Sequence, residues 1–310
     1  MRIKVLGSGA GGGFPQWNCG CPNCRGLRDG VLKTSPRTQA QVAISGNKAN
    51  WILLNASPDL RQQILSDPGF APTHAPRSTP ILAIILTSAD VDSVIGLLHL
   101  REFQPLHIYA TASVRRALIE ENSLFRTLER SHPPVHWDDL PIDRVIPISQ
   151  QTPSDAKTIL FCRAVSVGGT FPDYVSEGLR ASLRKEEAVI GLAFVQNDRR
   201  FFYAPALPGQ SSNWKARASE SDLALLDGTF WTDDELVRVL GSGKNGSQMG
   251  HLPLSGPDGL LEQMQGAKTT RRVLIHLNNT NPVLDEESAA HRAVREAGWE
   301  VSHDGMELEL

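Results

Sequence analysis

The sequence predicts an α/β (α+β) fold in which two mixed β-sheets pack face to face with helices on their outer faces. Short apolar, β-branched runs recur from one end of the chain to the other. Amphipathic stretches with helix-start chemistry fall between them. The two kinds alternate too irregularly for a βαβ array, and with too much helix for an all-β chain. The 310 residues are read as one domain, 1–310, because α/β units of this size commonly stay single.

Arg2–Leu6, Gln41–Ile44 and Trp51–Asn55 read as strands. Ser57-Pro58-Asp59 opens a helix, with Ser57 as N-cap and Pro58 in the first helical position. Ile81–Leu86 is an apolar strand, Thr87–Asp90 a polar loop, Val91–Phe103 a helix and Leu106–Tyr109 a strand. Lys157–Val165, Ala188–Val195 and Arg200–Ala204 are consecutive antiparallel strands, with turn chemistry at Asn197-Asp198. Leu223–Asp227 is a strand, Asp233–Leu240 a helix, Arg272–Leu277 a strand and Glu286–Ala297 a helix. Trp299–Leu310 holds the last strands. Asp67–Thr79 and Pro208–Ser221 read as surface loops, the second placed to cover a site.

Composition excludes some classes of function. A net charge of −3 without a long basic run gives no footprint for nucleic acid. No run of about 18 apolar residues is present for a membrane span, and the opening Met-Arg-Ile-Lys-Val-Leu-Gly lacks the apolar core of a signal peptide. The expected location is the cytoplasm, where thiols stay reduced.

The run Gly7-Ser-Gly9-Ala-Gly11-Gly12-Gly13 contains a GxGxxG match. A dinucleotide fingerprint needs a helix directly after it, and here Phe14-Pro-Gln-Trp-Asn18 follows. Close backbone approach beside a site is the better reading. Cys19, Cys21 and Cys24 lie within six residues and can fill three corners of a tetrahedral zinc site; the alternative is a redox or incidental thiol cluster. The fourth ligand stays open among His276, Asn278, Asn279 and water. Cys162, in an apolar run, reads as a buried structural thiol. Asp90 and Asp92 can both face a cation from a short loop, or cap the helix that follows. His251 and His276 sit beside loops. Either alone reads as structural; with the aspartates they make a two-histidine, one-carboxylate set suited to non-haem iron or another divalent metal.

Ala10-Gly-Gly-Gly-Phe-Pro-Gln-Trp-Asn-Cys19-x-Cys21-x-x-Cys24, Trp51-Ile-Leu-x-Asn55-Ala-Ser-Pro-Asp59, Asp227-Gly-Thr-x-Trp231-x-Asp233-Asp234-Glu235, Met249-Gly-His251-Leu and Leu274-Ile-His276-x-Asn278-Asn279-Thr-Asn-Pro282 resemble the PqqB family, coenzyme PQQ synthesis protein B. Arg37-Thr-Gln39 and Asp304-Gly-Met306 extend the likeness over nearly the whole chain. The resemblance implies a metallo-β-lactamase αββα sandwich and a role in pyrroloquinoline quinone (PQQ) biosynthesis. It implies an iron-dependent hydroxylase that takes O₂ and oxidises the tyrosine ring of a small, Glu-Tyr-derived peptide precursor. A PQQ-binding or carrier protein and a metal-dependent hydrolase are the alternatives. A structural Zn²⁺, an active-site Fe²⁺ and a homodimer belong to the same set of expectations. Fold mates hold two metals with a His-x-His-x-Asp-His loop, whose positions fall on Ser88, Asp90, Asp92 and Ser93. The three imidazoles are missing, and the PqqB family usually keeps one where Ser93 stands. The usual bridging aspartate is also missing after Tyr203, where Ala204-Pro205-Ala206 follows. At most one metal is therefore expected, held among Asp90, Asp92, His251 and His276.

Overall fold

Alternation of apolar side chains sorts the strands of a computed structural model into two layers. The first sheet has the order β14-β1-β2-β3-β4-β5-β6. These strands are β1 (Arg2–Gly7), β2 (Gln41–Ser45), β3 (Trp51–Leu54), β4 (Ile81–Ile85), β5 (Leu106–Ala110), β6 (Val135–Asp139) and β14 (Glu307–Glu309). The second has the order β13-β12-β11-β10-β9-β8-β7: β7 (Val145–Gln150), β8 (Thr158–Gly168), β9 (Val189–Gln196), β10 (Arg199–Ala204), β11 (Leu223–Asp227), β12 (Arg271–Ile275) and β13 (Trp299–Val301). The structure describes residues 1–72, 75, 77–102, 105–130, 135–150, 158–209 and 213–310.

Ile3, Val5, Val42, Ile44, Ile52 and Leu54 from one sheet share a buried cluster with Leu160, Leu192, Phe194, Phe201, Leu223 and Val273 from the other. The intervening residues, Ala43, Leu53 and Ile84 among them, pack instead with helical residues such as Val114, Leu118 and Val294. This two-period pattern produces the predicted helix–sheet–sheet–helix sandwich. The pairs β3–β4, β4–β5, β10–β11 and β11–β12 are parallel. The loops that leave β4, β11 and β12 therefore open on one edge, where open α/β sheets hold ligands. There the glycine run joins the sheets: Ala10 N donates to Leu277 O, and Leu277 N to Ser8 O. A Cβ on Gly7 would lie 2.1 Å from Gln39 O. The first helix begins only at Pro22, so the glycines serve close approach and not dinucleotide binding.

Several elements differ from those the sequence predicts. Ser57 does not cap a helix; its hydroxyl donates to Gln63 Oε1, and the helix starts at Leu60. The helix expected over Val91–Phe103 is α-helical only over Val91–Val94 and tightens to 3₁₀ over Ile95–Leu100; Phe103 lies outside the described residues. Gly96 is the reason, because its N–H bonds Ala56 O and a Cβ there would sit 2.2 Å from Ser57 O. The stretch Pro208–Ser221 is not all surface loop: Asn213–Ser219 is helical and buries Trp214, while 210–212 are outside the described residues. Pro68–Phe70 is a 3₁₀ turn that buries Phe70; residues 73, 74 and 76 of that predicted loop, and Lys157 of the predicted strand, are likewise outside. Between Tyr109 and Lys157 the helix Ala112–Glu121, β6 and β7 had no clear sequence signal. β6 and β7 are edge strands; Asp138 and Asp139 in β6 and Pro147 in β7 suit an edge.

Candidate metal centres

Two clusters of ligand-type side chains form among the described residues, and both touch the loop 276–281. In the first, the ligand atoms of Cys19, Cys21 and Cys24 lie within 4.8 Å of one another. Cys21 makes the cluster compact by capping the helix Pro22–Arg28, its sulfur accepting from Cys24 N. Asn279 Nδ2 reaches the three sulfurs at 3.2, 3.5 and 3.3 Å. The amide therefore stands at the fourth corner, and turned by half a rotation it would present Oδ1 to an ion. Burial pushes the Cys21 thiol up to about 12. For Cys19 burial acts the same way, but hydrogen bonds from Cys21, Cys24 and Asn279 outweigh it and bring the thiol below its ordinary value. Three thiols held this close, with an amide facing them, suit a zinc ion that takes them as thiolates. His276 is not the fourth member of this group, because Thr229 and Asp92 engage its ring on the other side of the loop.

The second cluster lies in a cavity of about 1030 Å³ whose lining includes Ser88, Asp90, Asp92, Ser93, His251 and His276. Parallel strands deliver its parts: β4 leads to Asp90 and Asp92, β11 ends at Asp227, and β12 runs into His276. His276 adopts a left-handed backbone, φ 62°. The two imidazoles stack 5.1 Å apart. His276 Nε2 lies 3.1 Å from Asp92 Oδ2. Asp90 does not touch either histidine by hydrogen bond; it accepts from Ser88 Oγ at 2.7 Å. Asp90, the residue before the helix, makes no side-chain cap bond. Burial, then the neighbouring Asp92, raises the Asp90 carboxyl. Burial acts the same way on Asp92, yet the His276 hydrogen bond and the two imidazoles outweigh it and lower that group. Ser93 contributes backbone bonds, its N–H to Asp90 O and its carbonyl to Ala56 N. Tyr174 donates its hydroxyl to Ala89 O, bracing the loop.

Asp227 escaped the sequence reading as a site residue. It is fully buried, and its Oδ2 lies 2.9 Å from His251 Nδ1. Its oxygens also accept from Leu207 N, Thr229 N and Thr229 Oγ1. An aspartate from the later strands does therefore reach the site, at the end of β11 instead of after Tyr203. Its ligand atom lies within 4.8 Å of those of His251 and His276. With both oxygens already accepting, it serves better as the carboxylate behind His251 than as a metal ligand. Thr229 Oγ1, 2.8 Å from His276 Nδ1 and 3.0 Å from His251 Nδ1, supports both rings. The Nδ1 edges are thereby committed, His276 Nε2 meets Asp92, and both rings line the cavity. The signal in the sequence was an acid ending an apolar strand, followed by Gly-Thr.

The model of the beta-lactamase superfamily domain matches residues 50–277. Coenzyme PQQ synthesis protein B of Azoarcus sp. (strain BH72) is 42% identical over 318 residues, covering all of both chains. The protein of that name from Azotobacter vinelandii is 40% identical, again over full lengths. The Zn²⁺-bound PqqB structure from Methylobacterium extorquens superposes with a TM-score of 0.89 at 36% identity, covering both chains completely. A PhnP-family diphosphatase, at TM-score 0.66 and 17% identity, shares the fold. With the thiol cluster, the histidine pair and the sandwich in place, this chain belongs to the PqqB family of coenzyme PQQ synthesis proteins.

Proposed function

We propose that the chain is a cytoplasmic enzyme of PQQ biosynthesis, a hydroxylase that uses one Fe²⁺ to oxidise the tyrosine ring of a Glu-Tyr-derived precursor. The observation that carries this reading is the histidine pair, stacked 5.1 Å apart in the wall of one cavity, with Asp92 Oδ2 3.1 Å from His276 Nε2. Two imidazole nitrogens and one carboxylate on one side of a large cavity suit non-haem iron with positions left open. Iron held there would supply the activation of O₂. The protein's part is to hold the ligands and orient the substrate ring. Thr229 and Asp227 hold the two rings by their Nδ1 edges, and Asp90, tied to Ser88, stands beside the opening. One oxygen atom enters the ring and the other leaves as water, with two electrons and two protons taken from an external reductant. The second ion, Zn²⁺, belongs to the thiolate knot, where Cys19, Cys21, Cys24 and Asn279 would hold it. Too few imidazoles remain for a two-metal hydrolytic centre.

The test is incubation of anaerobically iron-loaded protein with a Glu-Tyr-type substrate, O₂ and ascorbate. The expected result is a mass gain of one oxygen atom with matching O₂ uptake. Binding of the substrate or of PQQ with no turnover would replace the enzyme by a carrier.

A further inference from the structure

Two stretches of sequence remain: Asp233-Asp234-Glu235, which takes no part in the chemistry above, and the loop from Asn278 to Asn281, of which only Asn279 does. Glu235 opens the helix Glu235–Leu240 and is 1% exposed, a rare place for a carboxylate. Its Oε2 accepts the Trp231 N–H and its Oε1 the Thr280 hydroxyl, each at 2.6 Å. Thr280 Oγ1 in turn accepts from Asn278 Nδ2 at 2.6 Å. Between these two residues stands Asn279, whose amide meets the three sulfurs. The same loop is tied to the support of the histidines. Asn278 N donates to Thr229 O, and Asn281 Nδ2 to Gly228 O and Thr229 O. His276 and Asn279, one in each cluster, are therefore three residues apart on one buried loop, and Glu235 pins the part that joins them.

We propose that Glu235 is a positioning residue that couples the thiolate knot to the histidine–aspartate cage. By holding Thr280 it makes the loop 276–281 move as one piece. An ion ordering the loop at Asn279 then leaves His276 already placed for an ion in the cage, and the effect is reciprocal. Outer groups of this kind commonly change metal affinity by about 10–100-fold. The inference rests on the cage being a metal site.

The experiment uses Mn²⁺, a hard ion that disfavours thiolates, with binding followed by loss of the free-ion EPR signal. Zinc-loaded wild-type protein is expected to bind Mn²⁺ about 10-fold more tightly than zinc-stripped protein. In Glu235→Leu, which removes both acceptors, and in Thr280→Val, which replaces the hydroxyl by a methyl group, that ratio should fall to about one. Glu287→Gln, a surface change on the same side of the sequence, should keep it. Circular dichroism establishes that each variant is folded, and Thr280→Val carries the test if Glu235→Leu is not. A wild-type ratio of one would overturn the coupling, as would a full ratio in Thr280→Val. Zinc-loaded wild-type protein that binds no Mn²⁺ would remove the cage reading, and the coupling with it.

Discussion

His251 and His276 show how a residue's chemistry depends on what stands behind it. Each ring has its Nδ1 engaged by Thr229 or Asp227; Nε2 of His276 meets Asp92, a pair that an ion between them would take up as two ligands. Asp227→Asn puts an N–H where Leu207 N or the Thr229 hydroxyl now donates. We expect metal affinity in the cage to fall about 10–100-fold, with the thiolate knot still filled; calorimetric titration of the divalent ion checks it. If His276 holds the proposed ion, His276→Ala should abolish both cage binding and oxidation. Glu235 gives a separate signature in pH. Burial lifts its carboxyl from the ordinary 4.5 to about 7, so the folded chain keeps a proton that the unfolded chain has released. Its contribution to stability is complete below pH 4.5 and is lost as pH rises to about 7, on the order of 3 kcal/mol. Urea unfolding of metal-free protein should show that decline. Glu235→Gln, which cannot ionise, should flatten it.

Elements matter here mainly through where they stop. β4, β11 and β12 end at the same edge, so residues distant in sequence meet there without long loops. Gly96 illustrates how tight that edge is: its backbone lies against Ala56 and Ser57, and this contact turns the helix carrying Asp92 into 3₁₀. Gly96→Ala should destabilise by about 1–3 kcal/mol and weaken cage binding by displacing Asp92; denaturation and ion titration read the two effects. Much of this was readable in the sequence. Strand alternation, the Asn197-Asp198 turn with both residues at positive φ, the thiol spacing and the two histidines all carry local signals. What was not readable depends on contacts between distant segments. Nothing local marks Gly96 as a packing point, Ser57 as a partner of Gln63 and not a cap, or Asn279 rather than His276 as the residue facing the sulfurs. Asp227 had a signal, an acid closing an apolar strand, but its role appears only when His251 folds against it.

For the molecule as a whole, the two sheets join at the site edge through the glycine run, and the thiol cluster fastens the loop that follows. No described helix is long and apolar enough to cross a membrane. Cys24 is fully buried in that cluster. Cys24→Ser should release zinc on dialysis and lower Tm, since ion binding at such a site is folding energy; scanning calorimetry with metal analysis measures both. Cys162→Ser, remote from the cluster, should leave zinc content unchanged. We propose a cage for one ion beside a knot that holds zinc. Metal content after anaerobic reconstitution with Fe²⁺ decides this. Wild-type protein should hold about one zinc and one iron per chain, and His276→Ala the zinc alone. Two ions in the cage, or iron retained in full by His276→Ala, would contradict it.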